Sequence, residues 1–334
     1  MLLGVLAGIL GALIAGFTIF SGINDGGNLI GTYLSTPATR PHWVLPLLAG
    51  SILLGPVLFG TAVSHTIAVE VVDFQKVPAR VLAVALAAAL TTLVVTWKLK
   101  VPTSTTLALA GGMLGAALAG GQAEWIHWAG ILKIGLGLVG SVAIGFFMAF
   151  GLTLGVWRLL REFPPLGFML GQLQYVTIVF QGVAYGANDQ EKAIGLTALW
   201  FMLISGSHHY HVDWPALVIP WGLWLVGLWF GGLRIAKTVS GHVFRLRSAD
   251  AVTTQTAAAV TVALAAIGGF PVSTTQTTDG ALFGTGAALK PYHVRWGTVA
   301  KFFKVWSWTL PVSFAGGVVL MWGIDAIQRL IGAV

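Results

Sequence analysis

No cysteine occurs anywhere in the chain. Disulfides, thiolate-held metals and cysteine nucleophiles are therefore excluded, and the redox compartment is left unmarked. Charge is almost as scarce, with Asp, Glu, Lys and Arg making up 9% of the 334 residues, where soluble domains carry about a quarter. Apolar side chains fill the deficit at 56%, and the mean hydropathy is +0.86. A chain of this composition has the lipid bilayer as its solvent. Basic clusters are missing too: the cations behind the net charge of +7 are spread over short loops with no soluble domain to carry them. That excludes a nucleic-acid partner and turns the charge into an orientation signal. The N-terminus lacks a basic n-region and a cleavage motif, so its apolar run is expected to be a first spanning helix. The histidines lie in or near loops with no nucleophile–base arrangement around them, so there is no catalytic residue to name and an enzyme is not expected.

What the sequence does hold is glycine, at 44 residues, and tryptophan, at 14. Both fit membrane helices, glycine in their interiors and tryptophan at their interfaces. Taking about 20 apolar residues per crossing, helical runs are expected near 2–32, 44–64, 79–97, 103–121, 128–157, 167–204, 214–234, 251–268, 272–289 and 297–326. Two polar signatures interrupt them, and each occurs twice. The first is Gly-x-Asn-Asp, in "FSGINDGGNLIGT" (Phe20 to Thr32) and in "YGANDQEKAIGLTAL" (Tyr185 to Leu199). The second is Pro-x-Ser-Thr-Thr, in "VPTSTTLALAGGMLG" (Val101 to Gly115) and "FPVSTTQTTDGALFG" (Phe270 to Gly284), with Gly111 and Gly115 matched by Gly280 and Gly284.

The duplication predicts an all-α polytopic membrane protein of two inverted-topology repeats, residues 1–160 and 161–334. Each repeat contains a polar, broken Asn-Asp helix and a re-entrant helical hairpin carrying Pro-x-Ser-Thr-Thr. Such repeats mark secondary transporters, whose sites lie where interrupted helices meet near the bilayer midplane. If 79–97 with 103–121, and 251–268 with 272–289, are hairpins that do not cross, each repeat makes an odd number of crossings. Arg40, Arg158, Arg161, Arg234, Lys237, Arg245, Arg247, Lys290 and Arg295 then share one side and Lys76, Arg80 and Arg329 the other. The positive-inside rule makes the first side cytoplasmic and leaves the N-terminus outside.

A helix start leaves N–H groups without internal partners and carries the positive end of the dipole. Hydroxyls beside it add rotatable donors. Ser104, Thr105 and Thr106, with Ser273, Thr274 and Thr275, thus offer two facing anion sites suited to a tetrahedral oxyanion, although such residues also simply cap helices. Asp25 and Asp189 are costly to bury, and ionisable groups in the membrane read as functional: they suit a coupling cation or a proton from the substrate, and alternatively close a helix break. Asn24, Asn28 and Asn188 either contact a ligand or bridge helices. Sulfate carries no proton at neutral pH, whereas phosphate donates one and needs an acceptor. Two carboxylates beside donor-rich tips favour phosphate over sulfate, and a channel is the reading from another class.

These motifs resemble the inorganic phosphate transporter (PiT) family, in order and spacing, over nearly the whole chain. The likeness is strongest in "PVSTTQTTDGALFGTGAALKPYHVRWGTVAKFFKVWSWTLPVS". It implies a phosphate carrier in an inverted-repeat fold, often a homodimer, working by alternating access and driven by Na+ or H+, with no other cofactor. It places the substrate on the two Ser-Thr-Thr tips with Asn24, Asp25, Asn188 and Asp189, and the coupling ion on Asp25, Asn28, Asp189 and Lys192. The chain departs from the pattern at Leu107 and Gln276, where the family usually has histidine. Lys192 stands where the first motif has Asn28, which resembles a bacterial branch and implies a bacterial or archaeal cell membrane. Its ammonium could replace a bound cation by pairing with Asp189, or form a structural pair with Asp189 or Glu191. Lys98 and Lys100 either add positive field at the first tip or reach an interface. The histidines of "SHHYHVD", His208, His209 and His211, read either as a weak metal or pH-responsive site or as an exposed loop.

Overall fold

Lipid offers the backbone no hydrogen-bond partners, so apolar runs of this length satisfy their own N–H and C=O groups as helices. The computed structural model of the chain describes residues 2–34, 36, 39–99, 103–207, 209–232, 236, 247–289 and 291–332. Among these it is helical throughout, save short turns and one bridge between Val72 and Ile126. Helix α1 (Leu2–Ser21) runs through a π-helical turn (Gly22–Gly26) into α2 (Gly27–Leu34), followed by α3 (Pro41–Phe59) and the short α4 (Ala62–His65) with its own π-helical turn (Thr66–Glu70). Then come α5 (Ala79–Lys98), α6 (Thr105–Ala119) and α7 (Trp128–Glu162). The second half starts with α8 (Leu166–Tyr185), a π-helical turn (Gly186–Gln190) and α9 (Glu191–Ser205), then α10 (Trp214–Gly227) extended by a π-helical turn (Leu228–Gly232). It closes with α11 (Ser248–Ile267), α12 (Thr274–Leu289) and α13 (Trp296–Gly332). Eight stretches of the described residues are long and apolar enough to cross a membrane. Lys100, Pro102, His208, Arg234, Lys237, Arg245 and Lys290, all singled out from the sequence, lie outside the described residues.

The hairpins return to the end they start from. The foot of α5 meets the end of α13 through Arg80, which donates to Asp325 (3.4 Å) and Gln328 (2.9 Å). Just after α6, the Trp125 carbonyl accepts from the Asp73 amide (3.0 Å) and the His127 amide bonds the Val71 carbonyl (3.0 Å), closing the first hairpin at that same end. The second hairpin opens at the opposite end. There Asp250 at the foot of α11 accepts from the Trp157 indole (2.9 Å), Arg247 stacks over the Trp157 ring, and Thr285 of α12 pairs with Thr254 (2.9 Å). Arg40 shares this end through its amide on the Tyr175 hydroxyl (3.2 Å). Arg40 and Arg247 therefore lie at the end away from Lys76 and Arg80.

Each hairpin is braced by the last helix of the other half. α13 packs along α6 and α5, and α7 packs along α12 and α11. The brace is close enough to require glycine: a Cβ on Gly115 would sit 2.1 Å from the Phe314 carbonyl oxygen, and one on Gly284 would sit 2.1 Å from that of Phe146. The outer face of α7 presents Leu132, Leu136, Val139 and Phe147, an apolar stripe at helical spacing that suits lipid. By contrast, α12 is buried from Thr274 to Gly286.

Gly115→Ala and Gly284→Ala should each destabilise the protein by about 1–3 kcal/mol, the cost of overpacking a filled contact. Gly135→Ala and Gly140→Ala, where a Cβ meets nothing within 4 Å, should leave stability within about 0.5 kcal/mol. Thermal unfolding of the detergent-solubilised protein distinguishes the two pairs, and equal losses in all four would refute the close-contact account.

Candidate functional site

Both Asn-Asp motifs lie inside π-helical turns of otherwise continuous helices, so the expected break is a local widening of the helix rather than a loss of it. Such turns recur at functional sites. Each turn opens on a glycine pressed against the other half: a Cβ on Gly22 would lie 2.0 Å from the Trp224 oxygen, and one on Gly186 would lie 1.9 Å from that of Ile52. The widened turns aim Asn24, Asp25, Asn188 and Asp189 at the hairpin tips, and all four are buried.

The asparagines hold the extended stretch that precedes each tip helix. Asn24 donates to the Thr103 carbonyl (2.7 Å) and accepts from the Thr103 amide (3.1 Å). Asn188 donates to the Phe270 carbonyl (2.9 Å) and accepts from the Val272 amide (3.2 Å), spanning Pro271. These bonds supply partners to backbone that has left its helix deep in the protein, the condition under which such backbone is tolerated there.

The carboxylates take the tip hydroxyls. Asp25 accepts from Thr105 of the first tip (2.8 Å) and Thr275 of the second (2.8 Å), and also from Asn24 (2.9 Å) and Ser21 (3.1 Å). Asp189 accepts from Thr274 and from the Lys192 ammonium (2.6 Å), an ion pair that is 1% exposed on both sides. Lys192 reaches on to the Val272 carbonyl (3.0 Å), which also accepts from Thr106 of the opposite tip (2.8 Å). Asn28 donates to the Thr275 carbonyl (3.2 Å). Ser104 and Ser273 cap their helices, each Oγ accepting from the amide three residues on, Leu107 (3.1 Å) and Gln276 (3.3 Å). Acceptance leaves each serine O–H free to donate elsewhere. All six tip residues and both Asn-Asp motifs thus converge on one buried centre.

Other sequence candidates fall elsewhere. Glu191 turns away from Lys192 and accepts from the Ser64 amide (3.0 Å). Lys98 is exposed, away from the buried centre. His211 pairs with Asp213 (2.7 Å) on an exposed loop, and among the described residues no group of three or more His, Cys, Asp or Glu could hold a metal. At the rim, Lys133 donates to Thr66 (3.0 Å) and Glu70 (3.0 Å), and Thr66 donates to the Gly269 carbonyl at the turn of the second hairpin (2.9 Å). Burial pushes the Glu70 carboxyl up, but hydrogen bonds from Lys133 and Thr66, with the ammonium's charge, outweigh it and hold the carboxyl below its ordinary value.

A polar ladder that the sequence reading missed leads from the second tip toward the Arg40 and Arg247 end. Tyr185 bonds Thr278 and the Thr274 carbonyl, Gln181 donates to Thr278 (3.4 Å), and Tyr33 donates to Gln181 (2.6 Å). Thr177 donates to Gln255 (2.7 Å), and Gln174 accepts from Thr36 (2.9 Å). Gln174, Thr177 and Gln181 recur at helical spacing on one face of α8, a signal available in the sequence.

Membrane-length helices around two hairpins, whose hydroxyl-bearing tips share buried carboxylates and a buried ammonium, define a polytopic helical membrane protein with a buried polar centre. The chain belongs to the phosphate transporter family, whose model matches residues 21–170 and 162–317. It is 33% identical over 303 residues to the "Probable low-affinity inorganic phosphate transporter" of Rhizobium meliloti (strain 1021), covering 89% of this chain and 90% of that one. The protein of the same description from Bacillus subtilis (strain 168) is 28% identical over 319 residues, covering 93% and 95%. The fold is that of a solved structure described as "The sodium-dependent phosphate transporter", with a TM-score of 0.81 and 24% identity over 98% of this chain and all of that one.

Removing the Asn188 clamp leaves a buried carbonyl and a buried amide unpaired, at a cost of about 1–3 kcal/mol for each group. Asn188→Ala should accordingly accelerate amide hydrogen exchange at Val272 and its neighbours well above that of α7, as read by mass spectrometry. Unchanged protection there would show that the clamp does not hold the tip.

Proposed function

We propose that the protein carries inorganic phosphate across the membrane by cation-coupled alternating access, with Na+ or H+ as the coupling ion and residues 1–160 and 161–334 as inverted repeats. The observation that carries this reading is the sharing of Asp25 by Thr105 and Thr275, one hydroxyl from each tip. A carboxylate holding donors from both hairpins occupies the place of an oxyanion. A bound phosphate takes over the Thr105, Thr274 and Thr275 hydroxyls and the free Ser104 and Ser273 O–H groups. Its own proton is donated to Asp25 or Asp189, an exchange that sulfate cannot make. Lys192 offsets the charge of Asp189, and Asp25, Asn28, Asp189 and Lys192 together tie substrate binding to the coupling ion. The opposite openings of the hairpins favour alternating access: parting the Thr106–Val272 contact and loosening one hairpin opens the centre to one side only. The distribution of basic residues in the sequence supports an N-terminus on the outside.

Thr105→Val and Thr275→Val should each weaken phosphate binding by about 1.5–3 kcal/mol, the worth of a hydrogen bond to a charged group, or roughly 10- to 150-fold. In proteoliposome counterflow with labelled phosphate, unlabelled phosphate should compete at concentrations where sulfate does not. Stronger competition by sulfate would overturn the substrate while leaving an oxyanion carrier.

Coupling has its own test. Asp25→Asn and Asp189→Asn should abolish concentrative uptake, and Lys192→Asn, by removing the fixed ammonium, should increase the dependence of uptake on Na+. Uptake indifferent to Na+ in both wild type and Lys192→Asn would count against this role for Lys192 and favour protons.

A further inference from the structure

Asp25 and Asp189 accept close hydrogen bonds from the tips; one more buried carboxyl beside them does not. Asp279 lies on α12, fully buried, one helical turn beyond Thr275. No hydrogen bond of ordinary geometry reaches either of its oxygens or Asn28 Oδ1. Asn28 is buried on α2, which packs against α12, and its side chain is the polar group that bears on Asp279. Its amide nitrogen gives one hydrogen to the Thr275 carbonyl (3.2 Å), and only its second is left for Asp279. One amide, already shared with the Thr275 carbonyl, is thus set against three buried acceptor oxygens of two neighbouring side chains. Burying a carboxylate with no cation paired to it is among the costliest arrangements a protein can hold. Lys192, the buried ammonium of the centre, is committed to Asp189 and the Val272 carbonyl.

We propose that Asp279 and Asn28 form a binding site for a dehydrated monovalent metal cation of the sodium class, one helical turn from the Asp25–Thr275 contact. Hard oxygen ligands suit such an ion rather than a soft metal. One carboxylate with one neutral amide supplies a single negative charge, which a monovalent ion cancels and a divalent ion would over-compensate. The bound ion would steady the Thr275 end of the second tip through Asn28, linking cation occupancy to the donors that hold the anion. The site is not part of the duplicated pattern, since the matching position of the first hairpin is Ala110.

The inference rests on the cation-coupled reading above, so its test avoids both phosphate and flux. Equilibrium binding of labelled Na+ to the purified protein in detergent, at fixed pH and ionic strength with choline as the replacement cation, should be saturable. Asp279→Asn should weaken it at least tenfold. Na+ should also raise the thermal midpoint of wild type but not of Asp279→Asn. The variant should be the more stable of the two in choline, because its new amide donates where the carboxylate could not. Saturable Na+ binding that survives Asp279→Asn unchanged, or no Na+ binding by a wild type that still binds phosphate, would overturn the proposal. A wild type that binds Na+ but not phosphate would support this site while removing the phosphate reading.

Discussion

One buried carboxylate joins the two halves of the molecule. Asp25 accepts from Thr105, 80 residues later, and from Thr275, 250 residues later. Neither tip can leave the centre without giving up a hydrogen bond to a charged group, worth about 1.5–3 kcal/mol. The widened helical turns, the asparagine clamps and the glycine contacts all bring these three side chains to the same point. The arrangement is closed by polar contacts rather than by an apolar plug, so it can be exchanged for a ligand of similar hydrogen-bonding character. An apolar seal of the same area would have to be broken outright.

The all-helical fold was legible because lipid is a strict solvent: apolar length alone decides where a helix runs. The ends of α7 and α13 extend beyond the expected runs, and Arg161 and Arg329 stand in their last turns, where positive charge is favoured. The duplicated motifs also drew attention to the residues that meet at the centre. Their partners were not legible. Whether Lys192 pairs with Asp189 or with Glu191 depends on which side of α9 faces Val272 and which faces Ser64, and that is settled by packing from helices far away in sequence. Asp279 carries no mark of duplication in the sequence, because its counterpart is Ala110. The serines show the limit of composition: the same hydroxyl that caps a helix can still donate, so capping and ligand binding are compatible.

The rim and the polar ladder lie on opposite sides of the centre. On one side Lys133, Thr66 and Glu70 fasten the turn of the second hairpin. On the other, Tyr185, Gln181 and Tyr33 continue from the tip itself. Polar groups buried in this way are stable only when fully paired, so the few that are not, Asp279 foremost, stand out against a background of satisfied neighbours.

The exchange of bracing helices has a consequence for how the chain is made. The first hairpin is complete once Gly115 has been synthesised, but the carbonyl that packs against it belongs to Phe314, 199 residues later (314 minus 115). At about 5–20 residues per second, the glycine face of α6 waits roughly 10–40 s for its partner. The second hairpin waits for nothing, since α7 precedes it. The nascent protein therefore carries one finished and one unfinished side until its last helix is inserted, and a ribosome that stops before α13 leaves a hairpin exposed for the membrane's quality control to recognise.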